Sequence, residues 1–219
     1  RAQVLSRRAF LETGAYDPIV RAVQTAAQGH GGPILDVGCG EGYYCTRLAK
    51  ALNLPLTGLD ISKEAVRCAA AKYKDAQWLC ATAAHIPAAE ESVGLLTSLF
   101  ALTLPGEYHR VLKQGGLYFQ VLAAEDHLLG LKSIIYPELK LRPKDSVPEL
   151  AGFELVRSVP IRFDFRVEGA QVQNLLSMTP HMYRISKAGA EALRATEVLN
   201  DTASCVLNIY RPILKGDAL

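Results

Sequence analysis

The stretch Ile34-Leu35-Asp36-Val37-Gly38-Cys39-Gly40-Glu41-Gly42-Tyr43-Tyr44 constrains this chain more than any other. Ile34, Leu35 and Val37 are β-formers of the kind buried in a parallel strand, and Gly38, Gly40 and Gly42 allow a sharp turn and a close backbone approach to a ligand. Leu48 and Leu52 then recur at helical spacing. The glycines are therefore expected between a strand and a helix N-terminus, where free N–H groups and the helix dipole favour a negatively charged group.

A G-x-G-x-G turn by itself fits several nucleotide-like cofactors. Leu56 to Leu59 reads as a second strand ending in Asp60, about where a βαβ unit sets an acid against a ribose diol. Nicotinamide and flavin sites usually carry G-x-G-x-x-G, whereas the third glycine here comes one position early and Asp36 precedes the turn. Leu-Asp-Val-Gly-Cys-Gly-Glu-Gly followed by Gly-Leu-Asp-Ile-Ser resembles the first two motifs of class I S-adenosylmethionine-dependent methyltransferases. That resemblance implies an α/β, Rossmann-like fold: a seven-stranded, mostly parallel sheet with an antiparallel last strand and helices on both faces. It also implies S-adenosylmethionine as cofactor, S-adenosylhomocysteine as product, and cofactor contacts from Asp36, Gly38, Gly40, Glu41, Gly42 and Asp60.

Composition narrows the class without choosing a substrate. At 219 residues, 49% of them apolar and 21% charged, the chain suits one globular α/β domain over its whole length. A net charge of +2 permits an RNA partner but lacks the basic excess that would demand one. No run approaches a membrane-spanning length and no signal peptide opens the chain, so a soluble protein of the cytoplasm is expected. Cys39, Cys45, Cys68, Cys80 and Cys205 are odd in number and form no C-x-x-C pair, which argues against a disulfide framework or a zinc site within these residues.

In chain order, Arg1 to Leu11 reads as an amphipathic helix ended by Gly14, and Asp17 as the cap of a second helix from Pro18. Ser62 reads as the cap of a helix with Ala65, Val66, Ala69 and Tyr73 on one face; Gln77 to Cys80 and Val93 to Phe100 follow as strands. Ala81 to His85 offers backbone and apolar contacts to an adenine. Ala101 to Pro105 would face the methyl acceptor, since ligands of open α/β sheets bind beyond the carboxyl ends of the strands. Glu107 to Leu112 reads as a short helix, Lys113 to Gly116 as a turn and Leu117 to Leu122 as the fifth strand. Beyond Phe153, extended segments over 154–161 and 163–165, helices over 172–176 and 187–195, and a strand over 204–210 fit the closing hairpin of the class I sheet.

Four further stretches resemble one family, the bacterial large-subunit ribosomal RNA guanine-N1 methyltransferases of the RlmA type. Arg7 to Pro18 is similar to its R-R-x-F-L-x-x-G-x-Y-x-P segment and His127 to Tyr136 to its H-L-x-x-L-K-x-x-I-Y stretch. Leu150 to Phe153 is similar to its L-x-G-F segment, and Met178 to Arg184 to M-T-P-x-x-W-R, with Tyr183 in place of the Trp. The resemblance implies that Tyr16 and His127 contact the cofactor, with the helices of 1–30 covering it, and that ribosomal RNA is the partner. Members of that family begin with a four-cysteine zinc module. Nothing before Arg7 supplies one, so the chain is expected to be either a catalytic portion of a longer protein or a diverged member.

A guanine N1 must lose a proton to become nucleophilic. Glu125, Asp126, His127 and His181 are the candidate bases, with Asp126 first because it sits just past the fifth strand. Tyr183 and Arg184 are candidates to stack on or clamp a splayed-out base, with Arg184 also a catalytic candidate. Arg7, Arg8, Arg142, Lys144 and Arg162 are candidates for phosphates. A small-molecule methyltransferase and a non-catalytic cofactor-binding module remain open alternatives, and the sequence is compatible with a homodimer.

Overall fold

The computed structural model describes residues 2–139 and 143–213. In chain order the elements are α1 (Ala2–Leu11), α2 (Asp17–Ala27), β1 (Ile34–Val37), α3 (Tyr43–Leu52), β2 (Leu56–Asp60), α4 (Lys63–Lys72), β3 (Gln77–Cys80) and β4 (Val93–Leu99). They continue with α5 (Pro105–Val111), β5 (Leu112–Ala123), α6 (Leu129–Ile135), β6 (Phe153–Glu168), α7 (Ala170–Ser177), a 3-10 helix (Pro180–Tyr183), α8 (Lys187–Arg194) and β7 (Val198–Pro212).

The seven strands form one sheet in the order β3-β2-β1-β4-β5-β7-β6, parallel from β3 to β5 and antiparallel around β7. β1 runs between β2 and β4, with Ile34 opposite both Leu56 and Leu95. All seven residues of β4 are buried, as expected of a central parallel strand with apolar sequence. Gly94 near its start is fixed by crowding, because a Cβ there would fall 2.4 Å from the Gly31 carbonyl oxygen.

Helix ends follow local chemistry. Ser62 Oγ accepts from the Ala65 N–H at the start of α4, and Ser186 Oγ from the Gly189 N–H at the start of α8. α6 has no capping side chain of its own. Its Gly130 and Leu131 N–H groups instead donate to Asp201 of β7, at 2.9 and 2.7 Å.

The chain groups into two compact units. One comprises Val20–Leu122, Val147–Val159 and Val206–Leu219; the other comprises Arg1–Ile19, Ala123–Ser146 and Pro160–Cys205. The core of the first joins Leu35, Val37, Leu59, Leu96, Tyr108, Tyr118, Phe153 and Tyr210, with the Tyr118 and Tyr210 rings stacked 5.8 Å apart. In the second, α1 packs on α7 and α6 on α8. A Cβ on Gly189 would fall 2.2 Å from the Ile135 carbonyl oxygen, so glycine sets that helix spacing. Phe10, Tyr16 and Phe165 meet edge to face beside them.

Several sequence expectations shift. The fifth strand begins at Leu112, five residues before the expected Leu117, because Leu112 pairs with Val93 and a register shift follows between Val93 and Leu95. Tyr73 ends α4 in extended geometry instead of sharing its buried face. The two extended segments after Phe153 are one continuous strand, β6. Phe100, expected at the end of β4, adopts a left-handed φ of 57° just beyond it, and α6 had no expectation at all. Arg1 and Arg142 lie outside the described residues.

Candidate functional site

The glycine turn stands at the carboxyl end of β1. Gly38, Gly40 and Gly42 all have positive φ, at 79°, 56° and 85°. The Gly38 and Cys39 N–H groups both donate to the Leu59 carbonyl oxygen, at 2.8 and 3.0 Å, which ties the turn to the last residues of β2. The Gly40 N–H donates to Asp60 Oδ2 at 2.8 Å, and the Ser62 N–H donates to Asp60 Oδ1 at 2.8 Å. A carboxylate oxygen accepts more than one hydrogen bond, so Asp60 is oriented by backbone and still able to accept two hydroxyls.

Crowding explains two of the three glycines without a ligand. A Cβ on Gly38 would lie 2.5 Å from Ala101 Cβ, and one on Gly42 would lie 2.5 Å from Trp78 Cη2. These residues are glycine because the loop after β4 and the Trp78 indole press on the turn, a reason additional to the ligand approach expected from sequence.

The electrostatics also differ from expectation. Burial chiefly, then the charges of Asp36, Asp60 and Glu41 in that order, push the Cys39 thiol far above its ordinary range. Three carboxylates therefore act on the middle of the turn, a field that opposes a phosphate and favours a cation. That suits S-adenosylmethionine, which carries a sulfonium, better than a dinucleotide. Asp36 is buried and accepts from Thr97 Oγ1 at 2.6 Å, directly opposite in β4. The hydrogen bond from Thr97 thus ties Asp36 to the sheet, and Glu41 is buried within the turn.

The loop after β4 is pinned by a buried network that sequence reasoning missed. Tyr118 Oη lies 2.8 Å from Ser98 Oγ and 3.0 Å from Thr103 Oγ1, and the Gln120 amide donates to Thr103 Oγ1 at 2.7 Å. Asn208 Nδ2 donates to Gln120 Oε1, and Tyr108 Oη to the Leu102 carbonyl. No local pattern announces most of these contacts, because all but the Tyr108–Leu102 bond join residues from different strands or a strand and a loop.

In the other unit, Tyr16 and His127 are brought together. The Ser204 N–H, which can only donate, points at His127 Nδ1 at 3.1 Å. Nδ1 therefore keeps its lone pair, the proton of the neutral ring sits on Nε2, and Nε2 donates to Tyr16 Oη 3.5 Å away. Burial holds His127 down to about 4, with the nearby Lys132 adding to the effect.

The candidate bases separate clearly. Asp126 pairs with Arg162, and hydrogen bonds from Ser204 and Arg162 hold its carboxyl below the ordinary range. A carboxylate so stabilised is a weak base, which counts against the sequence-based first choice. His181 Nδ1 lies 2.8 Å from Tyr136 Oη, and burial with Lys132 and Arg184 lowers its basicity, so the ring is neutral near pH 7. Tyr183 is 73% exposed, its hydroxyl donating to Gln3 Oε1 at 3.1 Å. Arg184 is exposed beside it.

Among the described residues no helix is long and apolar enough to cross a membrane. A methyltransferase domain family matches residues 34–116. A protein of Bacillus subtilis (strain 168) described as a "putative 23S rRNA (guanine-N(1)-)-methyltransferase" is 27% identical over 199 residues, 84% of this chain and 70% of that protein. The 23S rRNA (guanine(748)-N(1))-methyltransferase of Streptomyces fradiae is 28% identical over 229 residues, 96% of this chain and 79% of that protein. A geranyl diphosphate C-methyltransferase of Streptomyces coelicolor A3(2), solved in complex with S-adenosyl-L-homocysteine, has the same fold, with a TM-score of 0.54 at 13% identity over 88% of this chain and 74% of its own. Residues 34–116 thus match a methyltransferase domain, and the chain has the fold of the class I methyltransferases.

Proposed function

We propose that this chain is an S-adenosylmethionine-dependent methyltransferase acting on N1 of a guanine in 23S ribosomal RNA, in the cytoplasm. The observation that carries the reading is the reach of the similarity. Relatives so named align over 84% and 96% of the chain, well beyond the 34–116 domain, and the longer alignment is long enough to take in Tyr16, His127 and Tyr183.

In this reading Gly38, Gly40 and Gly42 form the floor for the cofactor and Asp60 accepts its ribose hydroxyls. The cofactor supplies an electrophilic methyl group. The chain's own task is to orient the acceptor and to take its N1 proton. We assign that proton to His181: the ring is neutral, and among the described residues its Nε2 has no hydrogen-bond partner. In the tautomer this requires, Nδ1–H donates to Tyr136 Oη and Nε2 keeps the accepting lone pair. Tyr183 presents a ring to stack on an unpaired base, and Arg184 a guanidinium beside it.

Mass mapping of 23S ribosomal RNA from cells with and without the gene tests the reading. One guanine should lose its N1 methyl group when the gene is absent, and purified protein with S-adenosylmethionine should restore it on the unmodified RNA. An unchanged guanine methylation pattern would overturn the proposal in favour of another acceptor.

A further inference from the structure

Trp78, the single tryptophan of the chain, stands in β3 directly opposite Gly58 of β2. A Cβ built on Gly58 would fall 2.4 Å from its Cζ3 and 2.6 Å from its Cε3, and one built on Gly42 would fall 2.5 Å from its Cη2. The far edge of the indole therefore reaches from β2 to the last glycine of the turn and lies close against both backbones. Its near edge is fixed as well: Nε1 donates to the Tyr73 carbonyl at the end of α4 at 2.9 Å, and the Tyr73 ring lies 6.2 Å away. Gly58 has an ordinary φ, so no backbone conformation demands glycine there; space for the indole does.

A turn with three glycines at positive φ has much conformational freedom to lose. The hydrogen bonds to Leu59 and Asp60 tie Gly38, Cys39 and Gly40 to β2, whereas Gly42, the residue before α3, has no side chain with which to cap that helix and bonds only within the turn and to α3, its N–H donating to the Cys39 carbonyl and its carbonyl accepting from Thr46. A rigid ring anchored at α4 and wedged between Gly58 and Gly42 supplies the restraint on that side. We infer that Trp78 is a positioning residue for the cofactor, its indole setting the glycine turn at the height over β2 from which Gly40 and Asp60 meet the ligand together. The inference rests on the reading of the turn as the cofactor site.

Binding of S-adenosylhomocysteine to wild type, Trp78→Leu and Trp78→Phe by calorimetry tests it, with circular dichroism establishing that each variant is folded at the assay temperature. Trp78→Leu should bind about tenfold more weakly, the order of effect expected when binding groups move by a fraction of an ångström, and Trp78→Phe should recover most of the loss. The loss should be coupled: Gly42→Ala should cost more affinity in wild type than in Trp78→Phe, because phenylalanine lacks the atom nearest that Cβ. A folded Trp78→Leu with wild-type affinity would overturn the inference. If Trp78→Leu does not fold, the Gly42→Ala and Trp78→Phe cycle decides alone, and additive effects on affinity would refute it. Absence of binding to wild type would instead overturn the cofactor reading of the turn.

Discussion

The hydrogen bonds of His127 predict how stability depends on pH. The folded protein holds this imidazole neutral down to about 4, against an ordinary value of 6.5, chiefly because it is buried, with the nearby Lys132 adding to the effect. The unfolded chain therefore binds more protons at this site between those two values. The stabilisation is fully present above pH 6.5 and is lost as the pH falls towards 4. At 1.36 kcal/mol per pKa unit the full shift corresponds to about 3 kcal/mol, and residual solvent access reduces this to about 2 kcal/mol. His127→Asn isolates the effect, since Asn Oδ1 can take the Ser204 N–H and does not titrate. It loses the contact to Tyr16 and should be about 1 kcal/mol less stable than wild type at pH 7. By pH 4 the difference should have reversed, with the variant the more stable. Urea unfolding of both proteins at half-unit steps from pH 7.5 to 4 measures the gap, and carboxylates that titrate in the same window cancel in the comparison. A gap that stays constant across the range would refute the assigned tautomer and the burial argument together.

Asp60→Ala removes the acceptor for two backbone N–H groups and for the ribose hydroxyls, and should weaken S-adenosylhomocysteine binding about a hundredfold by calorimetry, given the strength of hydrogen bonds to a charged group; Arg184→Ala should leave that affinity unchanged. Gly38→Ala combines a φ of 79° with a Cβ placed 2.5 Å from Ala101, so thermal unfolding should show a loss of about 2 kcal/mol or more. Asp201→Ala leaves the start of α6 without its acceptor and should cost about 1 to 2 kcal/mol in urea unfolding, while Asp201→Asn should retain part of that stability.

What could be read in the sequence was local. β1, α3 and β2 announce themselves because strand, glycines, helix and Asp60 follow in one short run, and Ser62 is visible because it caps the helix that begins one residue later. The cap of α6 was invisible for the opposite reason, since Asp201 arrives from β7 about seventy residues away. The start of β5 was misplaced because Gly115, at a φ of 76°, carries a turn signal inside a strand whose irregular register absorbs it. Tyr16 and His127 were legible as a pair only through resemblance to a family. The tautomer that makes His127 a donor to Tyr16 depends on the Ser204 N–H, which no pattern around His127 contains. Asp126 was attractive for its place after the fifth strand, and Ser204 and Arg162, both distant in sequence, are what weaken it as a base.

The same distinction between local and distant causes alters the meaning of the glycine turn. Glycines before a helix favour an anion through N–H groups and the helix dipole, although the same stretch carries Asp36 and Glu41. Folding brings Asp60 to them. Asp36, Glu41 and Asp60 all act on Cys39, and whole charges at short range outweigh the half-charge of a helix end. The turn thus keeps the N–H groups of a nucleotide site while its field is that of a cation site. A field of that sign stabilises a positive sulfonium most before its methyl group leaves, when the charge is greatest. Interactions that are stronger in the ground state than in the transition state contribute to binding and not to rate. On the proposed reading of the turn as the cofactor site, its carboxylates serve cofactor capture and its preference over the product that has lost the sulfonium charge, and acceleration of the transfer falls to residues that orient and deprotonate the acceptor.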